Sequence, residues 1–510
     1  MAAFVLSNLA GLVRQILVSR AFGTGAEIDA FNAAARLPDL LFSLVAGGAL
    51  ASAFIPTFTG YLLQEDRRAA WQLASSVVNL VSLLLALISA LAALFAPLVV
   101  RHVLYILIPD LDPAQFSLTV ALLRVLLLSP VIFGVSGLLM GVLNAHQVFL
   151  LPALAPTFYW LGMIFGVLFL VPGWGITGLA WGAVLGAVLH LGVQMPALRR
   201  LGASYFATLG LHLPSVREVG RLMAPRLLGV AVVQINFLVN TILASAQPQG
   251  SLTAITIAWA VMTMPQVVIA QAIAIAALPT FSSQVSRGRL EEMRASLAAT
   301  LRGVIFLALP ASLGLILLRR PVVALLFQRG EFDANSTDLV AWALLWYAAG
   351  LVGHSVVEIL ARAFYALHDT RTPVLIGAFA MGLNLLFSVT FSNLFWRLGL
   401  PPHGGLALAN SLATALEMVG LLVLMRRTLG GLEGPRLWRG LVQSALASLV
   451  MSLGLWAWLS QSANWPAWLV VAGGVLLGAG GYALVILAAG VGEAKELFRA
   501  LVQTLQKVFR

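Results

Sequence analysis

Long apolar runs follow one another along the whole chain, separated by short stretches rich in glycine, proline or charge. A bilayer core takes about 20 apolar residues of helix to cross, because only an internally hydrogen-bonded backbone is tolerated there. Barrel strands would alternate in polarity, and these runs do not. The pattern predicts an all-α polytopic membrane protein of about fourteen transmembrane helices. They fall at roughly 2–20, 27–62, 70–103, 115–145, 150–171, 175–198, 216–245, 251–284, 293–318, 336–366, 372–396, 404–426, 437–460 and 465–488. Composition strengthens the reading, since 60% hydrophobic and 10% charged residues over 510 positions lie far from soluble domains. Mean hydropathy is +0.97. The first run carries Arg14 and has no small-residue cleavage site behind it, so it is expected to stay in the protein.

The net charge of +11 reads as topology. Basic residues collect in alternate loops: Arg67 and Arg68; Arg199, Arg200, Arg217 and Arg221; Arg287, Arg289 and Arg294; Arg371; Arg426, Arg427, Arg436 and Arg439. The intervening loops "VPGWGITG", "SAQPQGS" and "SQSANWPAW" carry none, and "LIPDLDPAQ" is acidic. One outward loop, with Arg319, Arg320 and Arg329, runs against the trend. By the positive-inside bias both termini are expected to be cytoplasmic, with the excess charge attracted to anionic lipid. No basic stripe with interleaved aromatics supports nucleic-acid binding. Cysteine is absent, which excludes disulfides, thiolate metal sites and a cysteine nucleophile.

The chain also repeats itself. "ASAFIPTFTGYLLQEDRRAAWQL", from residue 51, matches "AIAALPTFSSQVSRGRLEEMRAS", from residue 274, with Pro56 opposite Pro279, a displacement of 279 − 56 = 223. Pro97 against Pro321, and "NAHQVFLLP" against "ALHDTRTP" with His146 opposite His368, recur at nearly the same spacing. Duplication predicts a six-helix lobe over 1–200, a second over 201–430, two added helices over 431–490 and a tail over 491–510. The tail has Leu497, Leu501, Leu505 and Phe509 at spacing four, as in a surface-lying amphipathic helix. Repeats separated by six spans begin on the same side of the membrane, the parallel arrangement of transporters that rock about a central cavity.

Charges in the first two runs then acquire a purpose. Asp29, Asn32, Arg36 and Asp39 are spaced three, four and three, which places them on one stripe of a helix. A charge facing lipid at mid-membrane costs at least about 2.5–3.5 kcal/mol, so they should face a wet cavity or each other. Asn8 and Arg14 on the first helix can join them. The corresponding region of the second lobe is polar through Gln234, Asn236 and Asn240 but carries no charge. Arginine in a dry site suits an anion, because its forked donors match phosphate oxygens and it stays protonated. Blander roles stand beside these: Asp29 as a helix-start carboxylate, Arg36 with Asp39 as a packing pair, and Arg20 snorkelling outward. Glu358 and Arg362 fit an i,i+4 pair as well as a transport role. Arg124, His190, His354 and Glu417 read more simply as satisfied packing residues. Pro38 and Pro265, at corresponding points of two helices, fit a static kink or a hinge.

The chain resembles the MviN/MurJ family of lipid II flippases, within the multidrug/oligosaccharidyl-lipid/polysaccharide transporter superfamily. The residues that carry the likeness are "GLVRQILVSRAFGTGAEIDAF", "RLPDLL", "GGALASAFIPTF", "GVLNAHQVFLLPALAPTF", "LFQRGEFDANST" and "RAFYALHDTRTP". The resemblance implies fourteen helices in two lobes, a groove near helices 13 and 14 for a polyprenyl tail, and movement of a lipid-linked peptidoglycan precursor across the bacterial inner membrane by alternating access. It implies a pyrophosphate contact at Arg14, a nearby family acid at Asp29 and a usual basic position at Arg36. The chain departs from the family at Asn8, Phe42 and Ala260, where arginines are usual, and at Gly47, where a glutamate is common. The family's proposed sodium site draws on acids in helices 7 and 11, and sodium coupling is not expected here.

The expected partners are therefore a lipid-linked glycan, membrane lipids and cell-wall synthesis proteins, with no nucleic acid, metal or cofactor. A flippase for another lipid-linked oligosaccharide, or a drug or lipid exporter of the same superfamily, stays open as an alternative. So does a scaffold that recruits partners through the tail. An enzyme would need an acid/base pair or metal-binding motif in a sizeable loop, and the loops are short and lack one.

Overall fold

The computed structural model describes residues 2–46, 49–108 and 110–488. Among them every regular element is helical, as the apolar runs require. In chain order the principal helices are α1 (Ala2–Phe22), α2 (Ala26–Ala46), α3 (Ala49–Leu63) and α4 (Arg67–Leu94). They continue as α5 (Pro113–Ala145), α6 (Leu150–Trp174), α7 (Ile176–Arg200), α8 (Pro214–Ser245), α9 (Ser251–Ser286) and α10 (Leu290–Phe327). The last six are α11 (Ala334–Ala349), α12 (Leu351–Ala366), α13 (Arg371–Arg397), α14 (His403–Thr428), α15 (Gly434–Gln461) and α16 (Ala467–Ala488). Among the described residues ten helices are long and apolar enough to cross a membrane, or eleven if α11 and α12, bent by 45° at Gly350, form one span. The helices α1, α2, α3 and α8 occupy the other expected positions without meeting that test, so fourteen crossings stays the expectation of the sequence. Gly47 and the amphipathic tail with Lys495, Arg499, Lys507 and Arg510 lie outside the described residues.

Two compact units emerge from packing. The first contains residues 1–253 with the turn 329–333, and the second contains 254–328 with 334–510. This boundary differs from the repeat boundary near residue 200, because α8 packs on α2 and α3. In the first unit α1 lies on α6, which packs tightly on α7. That last seam is built of glycines: a side chain at Gly178 would come within 2.6 Å of the Leu170 backbone, and one at Gly166 within 2.6 Å of Gly182 Cα. Close backbone approach of this kind is what small residues permit between helices in a bilayer. A loop following α7 is strapped along α4, where Asn79 Nδ2 donates to the carbonyls of Phe206 (3.1 Å) and Thr208 (2.8 Å).

The second unit packs α13 on α14 and α10 on α15 and α16. Its core joins Phe281, Met293, Leu297, Leu360, Phe364 and Met425. A satellite of Phe306, Leu318, Met451, Leu455 and Tyr482 is anchored by the Tyr482 hydroxyl donating to the Phe306 carbonyl at 2.8 Å.

The duplication is visible in the backbone. Positive-φ residues recur in the helix connections of both halves at matching places: Gly23 and Gly250 (250 − 23 = 227), Glu65 and Gly288 (288 − 65 = 223), Gln147 and His368 (368 − 147 = 221), and Gly175 and Gly399 (399 − 175 = 224). Non-glycine residues adopt this conformation rarely. Its recurrence at Gln147 (φ 61°) and His368 (φ 60°) is therefore a strong mark of shared ancestry.

Candidate functional site

In the first unit Asp39 lies within electrostatic range of both Arg14 and Arg36. Arg14 projects from α1 with its Cζ 4.7 Å from the centre of the Trp160 ring on α6, and its Nη1 donates to Gln15 Oε1 at 3.0 Å. Arg36 repeats the arrangement from α2. Its Cζ lies 5.0 Å from the Phe237 ring on α8, and its Nη2 donates to Gln234 Oε1 at 2.8 Å. A guanidinium over a ring face gains about 0.5–2 kcal/mol, more as water is excluded. In both arginines the Nε is buried with no hydrogen-bond partner among the described residues. An unsatisfied buried donor costs about 1–3 kcal/mol, so each guanidinium stands with part of its hydrogen-bonding capacity unused.

Asp39 is exposed and closes to neither arginine as an ion pair among the described residues. Two guanidiniums against one carboxylate leave the cluster with an excess positive charge.

Asp29 has a different place. Its buried carboxylate accepts from the Gly250 amide (2.6 Å), the Thr253 amide (2.9 Å) and the Thr253 hydroxyl. Asn32 Nδ2 donates to the same hydroxyl at 3.0 Å. Asp29 and Asn32 thus hold the first turn of α9, whose leading amides carry the positive end of the helix dipole. The carboxylate caps a helix more than two hundred residues away rather than its own.

Other expected positions are engaged locally. Glu358 and Arg362 form the i,i+4 pair at 2.9 Å. Asn240 Nδ2 donates to the Asn236 carbonyl at 3.1 Å, a bond within α8. Asn8 is exposed. Phe42 packs against Phe133 with ring centres 4.6 Å apart and the rings tilted by 51°, so an aromatic contact stands where the resemblance leads one to expect a cation. Ala260 is half-buried in the second unit. Pro38 lies inside the continuous helix α2, whereas Pro265 lies two residues before a π-helical turn, Val267–Gln271, a widening that a missing backbone donor allows. His190 bonds Ser136 Oγ at 2.7 Å and His354 bonds Asn410 Oδ1 at 3.0 Å, both packing roles. No group of three or more His, Asp or Glu side chains able to hold a metal ion occurs among the described residues.

The second unit contains an apolar cavity of about 610 Å³, lined by Pro265, Phe306, Pro310, Leu455, Gly478 and Tyr482 among others. Its walls offer almost nothing to hydrogen-bond, which suits a hydrocarbon chain.

These features define a multi-pass helical membrane protein with a cationic, ring-lined cluster on its first two helices. The chain belongs to the MurJ family: the family profile described as "Lipid II flippase MurJ" matches residues 18–475. It is 32% identical over 467 residues to the lipid II flippase MurJ of Burkholderia cenocepacia, covering 90% of this chain and 89% of that one. It is 29% identical over 514 residues to a probable lipid II flippase MurJ of Vibrio cholerae, covering 96% and 95%. Among solved structures, a lipid II flippase MurJ in an inward closed conformation superposes with a TM-score of 0.80 at 22% identity over 98% of this chain and 99% of that one. An inward-facing multidrug resistance transporter of the MOP superfamily shares the fold at TM-score 0.69 and 16% identity, over 84% and 96%. The family and the helical spans make the chain a multi-pass protein of the bacterial inner membrane.

Proposed function

We propose that this chain is a lipid II flippase, moving the polyprenyl-pyrophosphate-linked peptidoglycan precursor from the inner to the outer leaflet by alternating access, with both termini cytoplasmic. Family membership supports the class of cargo. The observation that carries the reading is the pair of ring-seated arginines, Arg14 and Arg36, each with a buried donor awaiting an acceptor. A pyrophosphate supplies oxygens of matching charge and geometry. Asp39 offsets part of the positive charge, so that the anion is held loosely enough to leave. Asp29 contributes indirectly, by fixing α2 against the start of α9. Membrane lipids surround the spans, and cell-wall synthesis proteins are the natural suppliers and consumers of the cargo.

Arg14→Ala tests the proposal in a strain whose own flippase can be switched off. Growth should cease although the variant reaches the membrane at normal level. Full growth would overturn the role of Arg14, and lipid extraction from the purified protein with mass spectrometry then reports which lipid it carries.

A further inference from the structure

We propose that Trp160 and Phe237 are positioning residues, one for each arginine, which set the direction in which the guanidinium donors meet the anionic headgroup. The inference rests on the phosphate reading above and adds residues to it.

Arginine has a long side chain whose usefulness toward phosphate depends on the plane of its fork. Near each of these two arginines the same parts recur from unrelated stretches of sequence. One ring lies against the guanidinium, at 4.7 Å for Arg14 on Trp160 and 5.0 Å for Arg36 on Phe237. One amide oxygen takes one terminal nitrogen, Gln15 at 3.0 Å and Gln234 at 2.8 Å. The Nε has no partner among the described residues. Ring and amide together fix both the plane and the rotation within it, and they leave the remaining donors directed away from the clamp.

Trp160 is itself given room by Gly11, one turn before Arg14 on α1, where a methyl group would come to 3.3 Å of the indole nitrogen. Tyr159, with its ring centre 4.8 Å away, supports it from its own helix. The two pairs come from different helices and use different rings. This arrangement accounts for how the first unit, with Asn8 and Phe42 at departed positions, manages with two cations: each is oriented rather than supplemented.

The test uses the full-length protein in detergent and farnesyl pyrophosphate as probe, with farnesol as the uncharged control. Trp160→Leu keeps apolar bulk and removes the π face; it should weaken farnesyl pyrophosphate binding roughly three- to thirtyfold. Trp160→Phe should stay within about threefold of the parent. In an Arg14→Ala background Trp160→Leu should cause no further loss, because the ring acts only through the arginine. The pair Phe237→Leu and Phe237→Tyr reads the same claim at Arg36 should a Trp160 variant fail to fold. Parent-like binding by the leucine variants overturns the inference, as does a full additional loss in the arginine-less background. Should Arg14→Ala and Arg36→Ala each bind the probe like the parent, the phosphate reading fails first; should they lose binding while the leucine variants keep it, only the positioning role fails.

Discussion

Helix α2 and the first part of α9 occupy matching places in the repeat, with Pro38 and Pro265 at 265 − 38 = 227 residues, yet their chemistry is opposite. The α2 helix carries Asp29, Arg36 and Asp39; Ser251–Gln266 carries no charge. What the copies kept is skeleton. Left-handed turns recur, and so does a glycine seam: Gly178 lies against the Leu170 backbone and Gly405 against that of Phe391, each with room for no Cβ at 2.6 Å (405 − 178 = 227; 391 − 170 = 221). What they did not keep is polarity. Backbone geometry constrains every copy alike, whereas a buried charge persists only where partners exist to hold it. In this chain Asp29 is held by the start of α9, so the uncharged copy serves the charged one as a hydrogen-bond donor.

The largest effect expected from breaking this comparison is at Asp29. Asp29→Ala leaves the Gly250 and Thr253 amides without their acceptor, at a cost of about 2–4 kcal/mol. Thermal unfolding in detergent should report a larger loss than any glycine substitution in the seam gives, and a smaller one for Asp29→Asn, which keeps one carbonyl oxygen. An unchanged midpoint for Asp29→Ala would mean that α2 and the start of α9 do not depend on this carboxylate.

Next comes the seam. Gly178→Ala and Gly405→Ala should each cost about 1–3 kcal/mol, because the added methyl group meets backbone that cannot swing aside. Equal sensitivity, measured as yield and thermal midpoint, supports a common skeleton. Tolerance at one site only would show that the second copy has drifted in backbone as well as in side chains.

Most of the helical skeleton could be read from the sequence because a bilayer demands apolar runs of set length, and the duplication because Pro56 and Pro279 sit in near-identical words. The break at Gly350 could not be read, since a bend between two apolar helices changes no residue type. Arg14 and Arg36 stood out as cations in apolar runs. Their seats did not: Trp160 and Phe237 look like packing aromatics until their neighbours are known. Asp29 was visible as a charge, but its partners are 221 and 224 residues away. Local capping is the only kind that spacing can reveal. The apolar cavity was hidden for the simplest reason, that its walls have the composition of everything around them.

The smallest expected effect lies at the turn shared by the two copies. Asp369, just after left-handed His368, accepts from the Arg371 and Thr372 amides at 3.0 Å each and from the Thr372 hydroxyl at 2.6 Å. These bonds, led by those from Thr372 and aided by the Arg371 charge, hold its carboxyl below the usual carboxylate range. The first copy has Val148 at the matching place (369 − 221 = 148), whose side chain can accept no hydrogen bond from the start of α6. A carboxyl whose value is lower in the folded state stabilises the fold above its ordinary value, near 3.9, and loses that contribution as pH falls through the lowered one. Asp369→Ala should therefore lower the thermal midpoint at neutral pH by about 1 °C, the small effect of an exposed cap in a large protein. The difference from the parent should shrink as the buffer is taken below the ordinary carboxylate range. Val148→Asp makes the converse test, since it should give α6 the cap that α13 has and raise the midpoint by a similar amount. A loss of stability there would mean that the two turns, though they share a left-handed residue, no longer present their amides in the same way.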